Sequence, residues 1–145
     1  MIRSVLMVCE GNVCRSPLAA ALLAERSPHL EVMSAGTSAM VGAPVDAVIG
    51  ELAREHGIAL DSHVARQLDA SLLNAFDLIL TMTKAQRDWV EAAFPPARGK
   101  VFRLCEEEGA DVMDPYQRHR AVSELAFAQI RYGISQWTQR LAERQ

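Results

Sequence analysis

Residues 8–17 read VCEGNVCRSP and stand between two apolar runs. The run before them, SVLMV at residues 4–8, is short and rich in valine, and predicts a fully buried strand over residues 2–8. After them, Ser16 is a typical N-cap and Pro17 a typical first helical residue, so a helix is predicted from here to about residue 26. The predicted order is a strand, a loop over residues 9–15 and a helix.

The same alternation of strands and helices continues along the chain. Further strands are predicted over residues 30–34, 77–82 and 100–104. Further helices are predicted over residues 46–56, 71–75, 83–94 and from 121 to the C-terminus. Loops are predicted over residues 35–44, 60–69 and 105–120. Continuously apolar strands that alternate with helices imply a parallel sheet covered on both faces. We therefore predict a single α/β domain over residues 1–145, with three layers and a four-stranded parallel sheet.

The composition is that of an ordinary globular protein. The chain has 145 residues, of which 50% are hydrophobic and 23% charged, and its formal net charge is −3. A charge this small gives no strong attraction to nucleic acid or membranes, and no stretch resembles a signal peptide or a membrane span. The three cysteines are too few for a secreted disulfide framework, and no Cys/His spacing fits structural zinc. We expect a cytoplasmic protein with free thiols, no nucleic-acid partner and no membrane insertion.

The loop from Cys9 to Arg15 has the C-x5-R-S pattern of a loop that binds a phosphate group and attacks it with a thiolate. Gly11 and Asn12 tolerate the left-handed backbone that turns successive N–H groups inward. Arg15 supplies a planar fork for two phosphate oxygens, and the helix that follows adds its positive end. These groups favour the thiolate form of Cys9, while Ser16 can cap the helix or reach the sulfur.

Thiolate attack expels an alkoxide or phenoxide, which needs a proton donor at the same edge of the sheet. Asp114, in the stretch Asp114-Pro115-Tyr116, is the best candidate, because ligands of such folds bind at the carboxyl ends of the strands. A bound phosphate favours the protonated form of Asp114, and its carboxylate can afterwards activate water. By itself an Asp-Pro pair is more often a turn, so this assignment depends on the partnership with Cys9 and Arg15.

The sequence resembles the low-molecular-weight protein-tyrosine phosphatases over nearly its whole length. The resemblance consists of five stretches in the order and spacing of that family. They are VCEGNVCRSP at 8–17, SAG at 34–36, HVARQ at 63–67, FDLILTM at 76–82 and DPY at 114–116. The short chain and residues 114–120 resemble most closely the bacterial branch, some members of which dephosphorylate tyrosine kinases that control capsule or exopolysaccharide export.

The resemblance implies a role for each residue of the site. Cys9 is then the nucleophile, Arg15 the phosphate clamp and Asp114 the general acid. A supporting hydrogen-bond network would consist of Asn12, Ser16 and His63. The implied substrate-binding residues are Glu10, Gly11, Asn12, Val13, Cys14, Ser16, Met40 and Tyr116. Neither a metal nor a cofactor is expected, because Arg15, the N–H groups and the helix end supply the electrostatic stabilisation.

The activity that the resemblance implies is hydrolysis of phosphotyrosine through a phosphocysteine intermediate. Walls formed by Tyr116 and the loop around Met40 would favour phosphotyrosine over the shorter phosphoserine. A phenol is also a better leaving group than an aliphatic alcohol. The expected partner is a tyrosine-phosphorylated protein, with an autophosphorylated bacterial tyrosine kinase or a polysaccharide-export protein as the candidates by analogy.

Two loop residues carry separate expectations. Family members with the Cys9 and Cys14 pair can close it into a reversible disulfide, so the resemblance implies a resolving thiol at Cys14; a plain packing residue is the alternative. Glu10 stands where the family more often has a small or apolar residue. We hypothesise an acidic rim that disfavours acidic phosphopeptides; a solvated glutamate without a role is the alternative. The other members of this rim would be Glu106, Glu107, Glu108 and Asp111.

Three other functions are compatible with the sequence. An arsenate reductase of the same fold needs further cysteines to relay a disulfide, and residues 77–91 contain none. A non-catalytic phosphotyrosine-binding protein would bind without turnover, against which the intact Cys9, Arg15 and Asp114 argue. A thiol-redox sensor would use Cys9 and Cys14 alone.

Overall fold

Four short strands form one parallel sheet in the computed structural model, which describes residues 1–143. They are β1 (Ser4–Cys9), β2 (Glu31–Gly36), β3 (Leu78–Thr81) and β4 (Val101–Arg103). Their order across the sheet is β2-β1-β3-β4, and each neighbouring pair is parallel. Every side chain of β1 is buried, because this strand lies between two others and between layers of helices. The predicted α/β fold with a four-stranded parallel sheet is confirmed.

Helices cover both faces of this sheet. They are α1 (Arg15–Arg26), α2 (Ala47–Glu55), α3 (Ala70–Ala75), α4 (Lys84–Ala93) and α5 (Arg120–Glu143). Successive side chains of a strand point to opposite faces, so β1 contributes to two separate apolar cores. Val5 and Met7 belong to the core with α1, α2 and α5, while Leu6 and Val8 belong to the core with α3 and α4. The predicted three-layer arrangement is therefore also confirmed. Within residues 1–143, no helix is long and apolar enough to cross a membrane.

Side chains cap the starts of three helices. Asp46 before α2, Asp69 before α3 and Thr83 before α4 each accept a hydrogen bond from the backbone N–H three residues later. Gln86 completes a capping box with Thr83 at the start of α4. Gly57 has a φ of 77° just after α2, which is the left-handed conformation expected of a glycine at a helix end.

Several predicted boundaries at the carboxyl edge of the sheet were wrong. β1 includes Cys9, and β2 extends to Gly36 instead of ending at residue 34. The longer β2 is stabilised because Gly36 lies opposite Cys9 and also exchanges backbone hydrogen bonds with residues 66 and 68. The first helix begins at Arg15, and Ser16 does not cap it. The predicted C-terminal helix is α5 as far as Glu143, and residues 144 and 145 lie outside the described part of the chain.

Candidate active site

Residues 9–15 curl around a cavity of about 240 Å³ at the carboxyl end of β1. The cavity is lined by Cys9, Glu10, Gly11, Val13, Cys14, Arg15, Ser38, Met40, Asp114 and Tyr116. The structure thus brings together the predicted catalytic and wall residues from three distant parts of the chain. Asn12, Ser16 and His63 are not in the lining and instead lie behind the loop.

The carbonyl groups of this loop are held on its outer side. Those of residues 9, 10 and 11 accept hydrogen bonds from the N–H groups of residues 37, 38 and 40, at 2.9–3.0 Å. The carbonyl of residue 13 accepts from the N–H of Asp46, the residue that also caps α2. With their carbonyls turned outward, successive peptides present their N–H groups to the cavity. Together with the start of α1 they make a site suited to an anion such as phosphate.

Asn12 holds the loop in this shape. It is fully buried, and its φ of 59° is in the left-handed region. Its side-chain amide donates to Ser16 Oγ at 2.8 Å and to Ser34 Oγ at 3.0 Å, and its Oδ1 accepts from the N–H of Arg66 at 2.9 Å. Its carbonyl lies 2.6 Å from His63 Nε2, and because a carbonyl only accepts, this nitrogen carries the proton. The geometry therefore contains the predicted network of Asn12, Ser16 and His63.

The hydroxyl of Ser16 faces the sulfur of Cys9. Cys9 Sγ lies 2.8 Å from Ser16 Oγ, and Cys9 is 2% exposed. Because Asn12 already donates to this hydroxyl, the proton of Ser16 is available for the sulfur. A negative sulfur at this position would have a hydrogen-bond donor before any ligand binds.

Arg15 connects the loop to the segment that carries Asp114. Its guanidinium is almost fully buried, and its Nη1 donates to the carbonyl of Val112 at 3.0 Å. Its Nη2 lies 3.8 Å from Asp114 Oδ2, while the Asp114 side chain is 50% exposed. Asp114 Oδ1 accepts from the N–H of Tyr116 at 3.1 Å, which fixes the turn that begins there. The arginine thus lines the cavity and lies beside Asp114, which also lines it.

These stretches of sequence and their geometry agree with comparisons to known proteins. Residues 4–145 match the family model described as low molecular weight phosphotyrosine protein phosphatase. The chain belongs to this family. The probable low molecular weight protein-tyrosine-phosphatase EpsP of Ralstonia solanacearum is 44% identical over 141 residues, which cover 97% of both proteins.

Solved structures of this phosphatase family superpose closely on the chain. Vibrio vulnificus Wzb in complex with benzylphosphonate is 31% identical, with a TM-score of 0.93 over 97% of this chain and 99% of that one. The YwlE arginine phosphatase from Geobacillus stearothermophilus is 32% identical, with a TM-score of 0.92 over 98% of this chain and 94% of that one. The first of these neighbours holds benzylphosphonate, and the second is named as an arginine phosphatase.

Sequence reasoning gave no role to two residues that shape this phosphatase loop. A Cβ on Gly36 would overlap the carbonyl oxygen of Glu10 and lie 3.1 Å from the N atom of Asn12, so β2 can approach the loop only with glycine there. Ser34 accepts the second hydrogen bond of Asn12. The sequence signal for both was the stretch SAG at residues 34–36. Of the two loop residues that tolerate a left-handed backbone, Asn12 adopts it and Gly11 does not.

Gln129 of α5 is a third residue that the sequence did not indicate. Its Oε1 accepts from the N–H of Met113 at 2.9 Å, and its Nε2 donates to the carbonyl of Asp111 at 3.4 Å. The two bonds hold the backbone immediately before Asp114 against α5. No local pattern marks this residue, because a polar side chain on a helix is usually solvated.

The predicted membership of the acidic rim around Glu10 was wrong, while its effect on acidic phosphopeptides stays a prediction. Glu10 itself is exposed at the mouth of the cavity. Glu106, however, pairs with Arg87 at 2.8 Å, and Asp111 pairs with Arg103 at 3.1 Å. None of the acidic side chains between residues 106 and 111 lines the cavity. Arg87 and Arg103 pair with Glu106 and Asp111 away from the cavity, whose acidic lining residues are Glu10 and Asp114.

The other two cysteines are buried and are held as thiols. Burial, and next the charge of Asp46, raise the pKa of Cys14 well above its ordinary range. Burial raises the pKa of Cys105 to about 12, and its Sγ donates to the carbonyl of Gln129 at 3.5 Å. Cys105 therefore packs in the core. Within residues 1–143, no cluster of His, Cys, Asp or Glu side chains is arranged to hold a metal ion.

Proposed function

We propose that this chain hydrolyses phosphotyrosine through a phosphocysteine formed on Cys9. The observation that supports this most is the meeting of Cys9, Arg15 and Asp114 around one cavity whose backbone N–H groups face inward. Each group has the chemistry that one part of the reaction needs. The proposal assigns the whole of residues 1–145 to one phosphatase domain.

The first step transfers the phosphoryl group to sulfur. The Cys9 thiolate attacks phosphorus in line, so that the S–P bond forms as the bond to the phenolic oxygen breaks. Asp114, protonated beside the bound phosphate, gives its proton to the departing oxygen. Arg15 and the N–H groups of the loop hold the three remaining oxygens, on which negative charge is spread in the transition state.

The second step returns the phosphoryl group to water. The Asp114 carboxylate accepts a proton from a water molecule whose oxygen attacks phosphorus, and the P–S bond breaks. The Cys9 thiolate leaves, with the hydroxyl of Ser16 placed 2.8 Å from it to donate a hydrogen bond. Inorganic phosphate is the product, and Asp114 is again protonated.

The walls of the cavity support an aromatic substrate. Val13, Met40 and Tyr116 present apolar surface above the loop, and Met40 is 42% exposed at the entrance. A phenyl ring bonded to the phosphate would lie between these walls, whereas the shorter phosphoserine would leave them empty. The binding of benzylphosphonate to a neighbour of the same fold supports the same choice.

Phosphoarginine is the second candidate substrate. It is suggested by the solved arginine phosphatase with the same fold. A guanidinium group has several N–H donors that need acceptors, and Val13, Met40 and Tyr116 offer mainly apolar surface. Glu10 and Asp114 are the carboxylates that line the cavity. Phosphotyrosine is preferred because the apolar surface of Val13, Met40 and Tyr116 matches a phenyl ring better than a guanidinium, and a phosphoarginine peptide belongs in the same assay because these two carboxylates could accept from it.

The finer parts of the proposal concern the partner and the location. We propose that the partner is a tyrosine-phosphorylated protein, with an autophosphorylated bacterial tyrosine kinase or a polysaccharide-export protein as the candidates. Resemblance to the bacterial branch supports them, and a cytoplasmic location is supported by three free thiols. A pull-down with Asp114→Asn, which should slow turnover without closing the cavity, would capture the partner.

The test of the activity is hydrolysis of a series of aryl phosphates without added metal or thioredoxin. The wild type should turn over, and Cys9→Ser should not. Asp114→Asn should slow phenyl phosphate by roughly 10²–10⁴-fold, and p-nitrophenyl phosphate much less, because only the poor leaving group needs the proton. Asp61→Asn, an exposed aspartate paired with Arg54, is the matched control and should change neither rate.

An inactive wild type, or turnover that survives Cys9→Ser, would overturn this proposal. Turnover without thioredoxin also separates it from an arsenate reductase, and turnover of any kind separates it from a binding protein or a redox sensor.

A further inference from the structure

A second depression adjoins the active-site cavity. It has a volume of about 450 Å³ and shares four lining residues with that cavity. They are Glu10, Arg15, Ser38 and Asp114. The rest of its lining is Thr37 and four residues at the start of α4 or within it, which are Thr83, Ala85, Gln86 and Trp89. We call this depression the Trp89 groove. A chain bound in the cavity through its phosphorylated residue would have this groove beside its neighbouring residues.

Trp89 presents an aromatic face to the groove. Its side chain is 45% exposed and belongs to neither of the two apolar cores formed by residues 1–143. The rings of Trp89 and Phe94 pack in a T-shaped arrangement at a ring-centroid distance of 6.2 Å and an angle of 67°, which restrains the tryptophan. A restrained, exposed tryptophan offers a flat surface at a low cost in conformational entropy.

The net charge of the groove is negative once a bound phosphate compensates the positive charge of Arg15. The ionisable side chains that line it are Glu10, Asp114 and Arg15. Arg15 is buried and directed to the phosphate site and to Val112, so its positive charge compensates that of the bound phosphate. The basic side chains of α4 are already paired, Lys84 with Asp88 at 2.9 Å and Arg87 with Glu106 at 2.8 Å.

We propose that the Trp89 groove binds a lysine or arginine side chain that neighbours the phosphotyrosine in the protein substrate. The aliphatic stem and cationic head lie on the Trp89 ring, and the head reaches the carboxylate of Glu10. An apolar side chain would use Trp89 but leave Glu10 without a partner, and an acidic one would be repelled. The proposal rests on the proposed function, and it assigns to Glu10 the role of binding this cationic side chain.

The experiment uses phosphotyrosine peptides that differ at one residue next to the phosphotyrosine, first on its N-terminal and then on its C-terminal side. That residue is arginine, uncharged norleucine or glutamate. On the side that enters the groove, kcat/KM of the wild type should be about two- to fivefold higher for arginine than for norleucine, and lowest for glutamate. The preference should shrink in ~0.5 M salt, where charges on the surface are screened.

Two variants test separately what the Glu10 carboxylate and the Trp89 ring contribute to substrate binding. In Glu10→Gln, the ratio of kcat/KM for the arginine peptide to kcat/KM for the norleucine peptide should fall to about the value that the cation–π contact alone gives. Both values are measured on the same variant, so a general loss of activity cancels from the ratio. Trp89→Ala should lower kcat/KM for the arginine peptide severalfold while p-nitrophenyl phosphate is hydrolysed as before, which also shows that the variant is folded. Tyr132→Ala, an aromatic of similar exposure on α5, is the control and should change neither substrate.

The outcomes distinguish this inference from the proposed function. An active wild type with equal kcat/KM for the three peptides on both sides, or a Glu10→Gln variant that keeps the full preference and its salt dependence, would overturn the groove alone. A wild type that hydrolyses no aryl phosphate would overturn the proposed function, and the groove with it.

Discussion

The buried side chain of Asn12 connects the phosphate loop to three other parts of the molecule. Its amide reaches Ser16 in the first turn of α1, Ser34 on β2 and the backbone of Arg66. A buried polar group without a partner costs about 1–3 kcal/mol, so each of these bonds favours one position of the loop. The inward direction of the loop N–H groups thus depends on residues up to 54 positions away.

The three cysteines should differ sharply in reactivity. Burial raises the pKa of Cys14 and Cys105, which keeps both as unreactive thiols near neutral pH, whereas Cys9 has the Ser16 hydroxyl and the anion site beside it. We expect iodoacetamide at pH 7 to modify Cys9 first, and inorganic phosphate to protect it. Peptide mapping by mass spectrometry measures the order of labelling.

The control for this labelling is Cys9→Ser, which should take up little reagent. Early labelling of Cys14 or Cys105 would contradict the prediction. The resolving role of Cys14 stays a prediction, and its raised pKa argues for a slow disulfide, because a thiol attacks as the thiolate.

At the scale of elements, the contact of α5 with the segment before Asp114 matters most. Gln129 is the side chain of α5 that bonds to both Asp111 and Met113. The backbone carbonyl between these two residues, that of Val112, accepts from Arg15. One helix side chain and one loop arginine therefore fix the same short segment from two sides, which places the acid beside the phosphate site.

Replacing Gln129 with methionine keeps the volume and removes both hydrogen bonds. We expect Gln129→Met to lower kcat for phenyl phosphate by up to about tenfold, the equivalent of one or two hydrogen bonds, and to lower it less for p-nitrophenyl phosphate. Rates across an aryl phosphate series measure this, since a looser Asp114 matters most for poor leaving groups.

Gln136→Met, on the same helix beside a separate depression, is the matched control for Gln129 and should leave the series unchanged. Equal slowing of both leaving groups by Gln129→Met would show that the residue does not act through Asp114.

At the scale of the whole molecule, the sheet has its active site at one edge and a carboxylate clamp at the other. At the amino ends of β1 and β3, the Asp77 carboxylate accepts from the N–H groups of Arg3 at 2.7 Å and Ser4 at 3.2 Å. The hydroxyl of Ser4 accepts from the N–H of Asp77 at 2.9 Å. The clamp joins the start of the chain to the middle of the sheet.

This clamp predicts a pH dependence of stability. The hydrogen bond from Arg3, and further ones from Ser4, lower the pKa of Asp77 below its ordinary value. Its stabilisation is therefore complete above the unfolded pKa of about 4 and is lost as the pH falls through the lower folded pKa. Asp77→Asn should lower the free energy of unfolding at pH 7, by no more than about 1 kcal/mol because the side chain is exposed.

Urea unfolding at pH 7 and at successively lower pH measures the difference in free energy of unfolding between the wild type and Asp77→Asn. This difference should shrink below pH ~4. Hydrolysis of aryl phosphates should not change, because Asp77 lies at the opposite edge of the sheet. Asp61→Asn is again the control, and a difference from wild type that persists unchanged at low pH would contradict the ionic explanation.

Short-range patterns were enough to predict most of the elements and the centre of the site. The buried run before Cys9, the capping box at Thr83 and the glycine after α2 act within a few residues, so their physical causes are visible in the sequence. The roles of Cys9 and Arg15 could likewise be predicted from the sequence, because the strand, the curled loop and the helix start that position them are formed by neighbouring residues.

Tertiary contacts decided the features that no local pattern contains. Gly36 is needed because another strand end approaches it, and Gln129 matters because α5 passes the segment before Asp114. Glu106 and Asp111 lie in one acidic run, yet arginines from β4 and α4 neutralise them and remove them from the rim. Hydrogen bonds, ion pairs and close backbone approaches act over a few ångströms in space, whatever the separation along the chain, so only the folded structure could place them.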